Sequence, residues 1–287
     1  YYNFKGDSLH FVKRQGVFAA AGFAAMIAIS KIPYQKYAKY YKVLMYLSIG
    51  LLILVLIPGI GRVYNGARRW LGPFQPSELA KLAVIICYSY WVSRAPQSTR
   101  SFKSLFFHYL PPFAVYAALL MLEPHNSAMV IIACIIGCIL IAGGMQMRYV
   151  TVGLGMLVGL FTIAFFAFNH VHERVLIWLD PFSDMGDTGY QASMSQIAIG
   201  SGGLFGLGLG NGRQKHLYLP EPQNDFIFAS WCEEMGLIGA LLVIALFAFL
   251  IYRGFRVARA APDRLGALIA TGITAKLAIQ TLMNLFV

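Results

Sequence analysis

Apolar residues in this chain run in long stretches separated by short polar segments. Eight stretches, about 12–30, 43–60, 78–93, 105–122, 128–142, 150–168, 226–251 and 265–287, reach or approach the length at which a helix spans hydrocarbon, roughly 20 residues. The 128–142 stretch is short and extends through Gly143 and Gly144. The pattern predicts an all-α, polytopic transmembrane helical bundle forming one domain over 1–287, with eight spans and one large loop, 169–225. Loops of that length are usually functional or disordered. This one is rich in glycine and aromatics with balanced charge, which favours an ordered, functional segment. No internal repeat is evident, so an inverted-repeat transporter gains no support.

Composition agrees. Hydrophobic residues make up 58% and charged residues 12% of the chain, and mean hydropathy is +0.64; soluble domains carry about 25% charged residues. The net charge of +11 is explained by topology. Segments 31–42, 94–103, 143–149 and 252–264 carry 12 Lys/Arg against one acid, Asp263, whereas 1–15, 61–76, 123–127 and 169–225 carry 9 against eight acids. The positive-inside rule places the first set in the cytoplasm and the second outside, so nucleic acid is not an expected partner. The sequence opens on Tyr1 without Met and stops inside an apolar run at Val287, and it reads as a piece lacking natural ends. Cys87, Cys134, Cys138 and Cys232 lie in or beside spans without metal-type spacing; neither a disulfide nor a structural metal is expected.

Two outer segments carry candidate chemistry. In the first, Arg62, Arg68 and Arg69 sit beside Trp70. Guanidinium forks suit phosphate oxygens, and lipid headgroup contact with a Trp anchor explains the same residues. The following Gln75-Pro76-Ser77-Glu78 reads as a helix start, with Pro at an early position, Ser or Gln able to cap, and Glu in the first turn. In the second segment, Asp225 is the last charge before an apolar run. Partial desolvation there would raise its pKa toward that of a general base, while local sequence alone leans slightly to a helix cap. Arg213 and Lys215 add positive charge nearby. Glu233 and Glu234 lie two turns deeper, where acids are costly and usually paired; Lys81 and Lys276 are the candidate partners, and a structural ion pair is favoured over direct catalysis.

Other features are set aside. The Gly-rich run 200–212 lacks GK[ST] and a preceding strand, so it reads as close backbone packing of a re-entrant or surface segment. His170-Val171-His172-Glu173 lacks metal-binding spacing.

The motifs together resemble the SEDS family (shape, elongation, division and sporulation), which includes the FtsW, RodA and SpoVE groups. The resemblance covers essentially the whole chain. It rests on Asn65-Gly66-Ala67-Arg68-Arg69-Trp70, Gln75-Pro76-Ser77-Glu78-Leu79-Ala80-Lys81, Gly189-Tyr190-Gln191 with Ser195 and Ala198-Ile199-Gly200, and Gln214-Lys215 through Tyr218-Leu219-Pro220-Glu221 to Asp225-Phe226-Ile227-Phe228 and Glu233-Glu234. The wording from Tyr218 to Gln223 is closer to FtsW and SpoVE than to RodA.

This resemblance implies ten spans, of which eight are visible, in a bacterial cell membrane. It implies a peptidoglycan glycosyltransferase that polymerises lipid II, the undecaprenyl-diphosphate-linked disaccharide-pentapeptide, in division or sporulation. Asp225 would be the general base, which outweighs the capping alternative. Arg68, Arg69, Arg174 and Lys215 would neutralise the leaving diphosphate, with a divalent cation (magnesium or manganese) as a possible cofactor. Trp70, Gln75, Ser77, Gln191 and Glu221 would join the substrate site, and Glu78, Lys81, Glu233 and Glu234 the structural ion pairs. Implied partners are a class B penicillin-binding protein and other division or sporulation membrane proteins. Three positions depart from the family pattern: His125 where an Asp is frequent, Glu173 where a base is frequent, and Asn224 where a Thr is frequent. The alternatives are a lipid II flippase, which would need a polar path at mid-membrane, and a scaffold without chemistry.

Overall fold

The structure is a computed structural model that describes residues 10–64, 67–167, 169–184, 189–212 and 226–286. Every predicted apolar stretch is a helix. These are α1 (His10–Ser30), α3 (Tyr41–Leu56), α4 (Pro76–Arg94), α5 (Phe102–Leu122), α6 (Asn126–Ala142), α7 (Met147–Ala167), α10 (Ile227–Arg259) and α11 (Arg264–Leu285). Short helix α2 (Tyr34–Lys39) follows α1, and the large loop holds α8 (Asn169–Leu179) and α9 (Tyr190–Ser201). Strands β1 (Arg62–Tyr64) and β2 (Ala67–Trp70) form an antiparallel hairpin with Val63 opposite Arg68 and Arg62 opposite Trp70.

Among the described residues five helices, α1, α5, α7, α10 and α11, are long and apolar enough to cross a membrane; α3 and α6 are apolar but shorter. None of the apolar window of α1 or α7 is buried in the protein, and Val152, Leu154, Leu157, Phe161 and Ile163 all stand exposed on α7. Apolar surface of that extent is stable against lipid and not against water. The protein is a multi-pass membrane protein.

The core lies between α3, α4, α5, α6 and α11, around Leu52, Val84, Ile85, Tyr88, Leu120, Ile132, Ile135 and Ile139. Gly272 on α11 lets that helix approach: a Cβ there would meet Ile85 and Ile139 side chains. Small residues at such crossings are how membrane helices gain packing contact in the absence of a hydrophobic driving force. Three of the buried core hydroxyls are paired. Ser48 and Tyr116 share a 2.7 Å hydrogen bond, and Tyr88 donates to the Tyr109 carbonyl at 2.6 Å. Asp263 caps α11, accepting from the Gly266 amide at 2.7 Å and from Tyr34 at 3.0 Å.

Helix α10 is broken at Gly236, whose φ of 64° and ψ of −166° are not helical. The break frees backbone groups, and the Gly-rich segment after α9 takes them up. The amides of Leu207 and Gly208 donate to the carbonyls of Glu233 and Glu234 at 3.0 and 3.1 Å, and the amides of Leu237 and Ile238 donate to Gly203 and Leu204 at 2.9 and 3.3 Å. Backbone at membrane depth must be satisfied within the protein, and this exchange does so. The expected close backbone packing of 200–212 is what the structure shows.

Candidate functional site

Several helix ends meet at one end of the bundle. Helix α4 starts there, α5 ends and α6 starts there across the turn 123–125, and α10 starts beside the end of α11. The hairpin β1–β2 lies over the same end, and Arg69 ties it down. Its guanidinium donates to the backbone carbonyl of Glu123 at 3.4 Å and to that of Pro124. These carbonyls close α5, where the helix dipole favours a cation. Arg69 is thus engaged as a strut, not as an open anion receptor. Arg69→Ala should cost about 1.5–3 kcal/mol, the usual range for a charged hydrogen bond, and thermal unfolding in detergent would register it as a lowered midpoint.

Helix α4 begins as predicted, with Pro76 at its first position and Glu78 in the first turn. The expected side-chain cap is corrected: Gln75 occupies the cap position and neither it nor Ser77 caps. Ser77 is buried with its Oγ unpartnered among the described residues. The ion pair expected of Glu78 and Lys81 is present, and Lys276 joins it. Lys81 donates to Glu78 Oε1 at 2.6 Å and Lys276 to Glu78 Oε2 at 3.0 Å. The first-turn acid is therefore the partner of both lysines, because α11 crosses α4 at that level. Glu233 and Glu234 lie against the Gly-rich segment, where Glu234 accepts from the Gly210 amide at 3.1 Å.

The turn between α5 and α6 holds two buried titratable groups, of which the sequence analysis singled out only His125, as a departure from the family pattern. Glu123 and His125 are both buried, and the Glu123 carboxylate and His125 Nδ1 have no partner among the described residues. Desolvation pushes the Glu123 carboxyl up to about 7, against the pull of Arg69. Desolvation, with Arg69 and Lys81 adding repulsion, lowers His125 to about 4.

The two groups act on stability with opposite sign. Between about 4.5 and 7 the folded state holds a proton on Glu123 that the unfolded state has lost, so this group makes stability fall as pH rises through that window. Between about 4 and 6.5 the unfolded state holds a proton on His125 that the folded state lacks, so this group makes stability rise. Glu123→Gln should leave only the rise, and unfolding midpoints measured from pH 4 to 7.5 would reveal a fall persisting in the variant if another group causes it.

Of the other candidates, Arg68 and Trp70 are half-buried on β2, and Gln191 is exposed on α9. The backbone of Arg174 lies in α8. Lys215, Glu221 and Asp225, with Arg213, lie outside the described residues. Phe226 holds the cap position of α10. It lines a hollow of about 310 Å³ with Trp178, Phe228, Leu285, Ser195, Gln196 and Asn284, so α10 begins beside a mainly apolar cavity that carries a few polar side chains. Among the described residues no group of three His, Cys, Asp or Glu is placed to hold a metal, and an ammonium faces each oxygen of Glu78. The described residues do not fit a divalent cation.

A membrane helical bundle with a buried, cation-rich polar cluster at one end is the class these features define. The chain belongs to the FtsW/RodA/SpoVE family, described as "Cell cycle protein", whose profile matches residues 2–287. Stage V sporulation protein E of Bacillus subtilis is 40% identical over 284 residues, covering 97% of this chain and 77% of the relative. A probable peptidoglycan glycosyltransferase FtsW of Geobacter metallireducens is 37% identical over 286 residues, covering 97% and 76%. Among solved structures, a chain of a peptidoglycan synthase complex that coordinates polymerization and crosslinking aligns with a TM-score of 0.81 at 27% identity, covering 97% of this chain and 79% of that one. Rod shape determining protein RodA of Thermus thermophilus aligns with a TM-score of 0.66 at 26% identity, covering 97% and 76%.

Proposed function

We propose that this protein is a peptidoglycan glycosyltransferase that polymerises lipid II at the outer face of a bacterial membrane, with Asp225 as general base. The observation that carries the reading is the polar cluster at one end of the bundle, where Lys81 and Lys276 bracket Glu78 and Arg69 holds the neighbouring turn, the same end at which α10 begins two residues after Asp225 in sequence. The charge asymmetry of the loops supports placing that end outside. Asp225 takes the proton of the acceptor's 4-hydroxyl as its oxygen attacks the donor's anomeric carbon. The bond from that carbon to the diphosphate oxygen breaks on the opposite side, inverting the centre, and lipid diphosphate leaves. Positive charge near the departing oxygens stabilises the transition state where charge develops; Lys81, with Arg68, Arg174 and Lys215 as further candidates, supplies it. Trp70, Gln75, Ser77, Gln191 and Glu221 complete the proposed substrate site. The partner that crosslinks the product is a class B penicillin-binding protein, a pairing supported by the likeness to a chain of a synthase complex.

The test reconstitutes the full-length protein with that partner in vesicles holding fluorescent lipid II. Glycan chains longer than the substrate support the polymerase. Label that crosses the bilayer without chain growth sinks it in favour of the flippase, and neither outcome in an active partner complex leaves the scaffold.

A further inference from the structure

Lys276 lies outside every motif quoted for the family resemblance, yet it reaches the centre of the polar cluster. It stands on α11 and meets a carboxylate 198 residues away on α4. Glu78 receives one ammonium on each oxygen, Lys81 on Oε1 and Lys276 on Oε2. A strut between α4 and α11 needs only one lysine. The second brings a cation to a boundary where unpaired charge is costly.

The charges do not cancel. Arg69, Lys81 and Lys276 are positive, Glu78 is negative, and His125 is neutral at pH 7 because its pKa lies near 4. Glu123, near 7, supplies only part of a charge. Among these described residues at least one positive charge is left over. An ammonium has three donors, and among the described residues each lysine donates one bond, to Glu78. The side chain of Glu78 is 37% exposed, against 21% for Lys276 and 3% for Lys81. The carboxylate thus sits at the open side with Lys276 the more accessible of the two cations. Ser77 Oγ and His125 Nδ1, both buried, have no partner among the described residues. The spare ammonium donors, those of the more accessible Lys276 above all, are what an anionic ligand with several oxygens would engage.

We propose that Lys276 is a substrate-binding residue whose ammonium, held by Glu78 beside that of Lys81, receives a phosphoryl oxygen of the lipid-linked diphosphate. The proposal rests on the polymerase reading and adds to it a residue on the last helix. Phosphoryl oxygens also occur on anionic bilayer lipids, and the experiment separates the two sources.

Inorganic pyrophosphate is the probe, used on full-length protein with its partner in vesicles of neutral lipid. Pyrophosphate should inhibit polymerisation competitively against lipid II. Lys276→Gln should raise KM and weaken pyrophosphate inhibition, each about tenfold, with kcat held within about threefold, as loss of one charged hydrogen bond to substrate requires. Lys276→Arg should restore both constants to within about threefold of the parent. If Lys276→Gln lowers only the unfolding midpoint and leaves KM and pyrophosphate inhibition unchanged, Lys276 is a strut and the proposal is wrong. Should Lys276→Gln not fold, the charge-balanced pair Glu78→Gln with Lys276→Gln is read on the same inhibition, where an unchanged constant again overturns it. Sensitivity to added phosphatidylglycerol that depends on Lys276, without sensitivity to pyrophosphate, assigns the site to a bilayer headgroup and also overturns it. Failure of the polymerase reading looks different: no polymer forms at all, while calorimetry still finds pyrophosphate binding that Lys276→Gln abolishes.

Discussion

Asp225→Ala is expected to leave a folded, membrane-inserted protein that makes no detectable glycan. A positioned general base contributes about 10²–10⁴-fold to rate. The 4-hydroxyl of a sugar is a poor nucleophile at neutral pH, so its attack depends on that base. Asp225 precedes the Phe226 cap position and the first helical residue, Ile227. The measurement is chain formation from purified lipid II by the full-length variant with its partner, beside a thermal unfolding curve. Glycan formed at the parental rate would show that Asp225 is not the base. An unfolding midpoint that drops together with activity would assign it a structural role instead.

Gly206→Ala is the second change expected to have a large effect. Gly206 has φ of +82°, and a Cβ there would collide with the carbonyl of Glu234 and crowd the amide of Gly236. The colliding atoms are backbone, so no side chain can swing aside. Moving the segment away would break the amide–carbonyl bonds joining Leu207, Gly208, Gly203 and Leu204 to the broken helix. Four hydrogen bonds would break and leave eight backbone groups without partners, at about 1–3 kcal/mol for each group left unsatisfied. The expected result is loss of stable, monodisperse protein in detergent together with loss of polymerisation. Gly200→Ala is the control, because a Cβ at that helical position meets nothing within 4 Å. If Gly206→Ala behaves like the control, the strap is not what holds α10 in its broken form.

The eight helices, the short turn between α5 and α6 and the start of α4 at Pro76 were legible from the sequence because each depends on local chemistry: apolar length, turn residues and the fixed φ of proline. The Gly-rich run could be read as close packing, though its partner could not. What it packs against is a break at Gly236, and a single glycine within an apolar run gives no sign that the helix stops there.

The sequence by itself determined that the chain crosses a membrane many times, and its loop charges gave the expected orientation, since both follow from composition summed along the chain. Tertiary structure alone decided which charges meet. Lys81 reaches Glu78 within one turn of α4, but Lys276 arrives from the last helix, and periodicity could not distinguish Glu78 from Glu233 or Glu234 as its acid. Arg69, a candidate for phosphate on sequence, is engaged by two carbonyls because the hairpin folds over the end of α5. Glu123 and His125 gain their shifted pKa values from burial, a property of packing with no trace in residue type. Ion pairs and desolvation depend on distances across the bundle, and those exist only once the helices have packed.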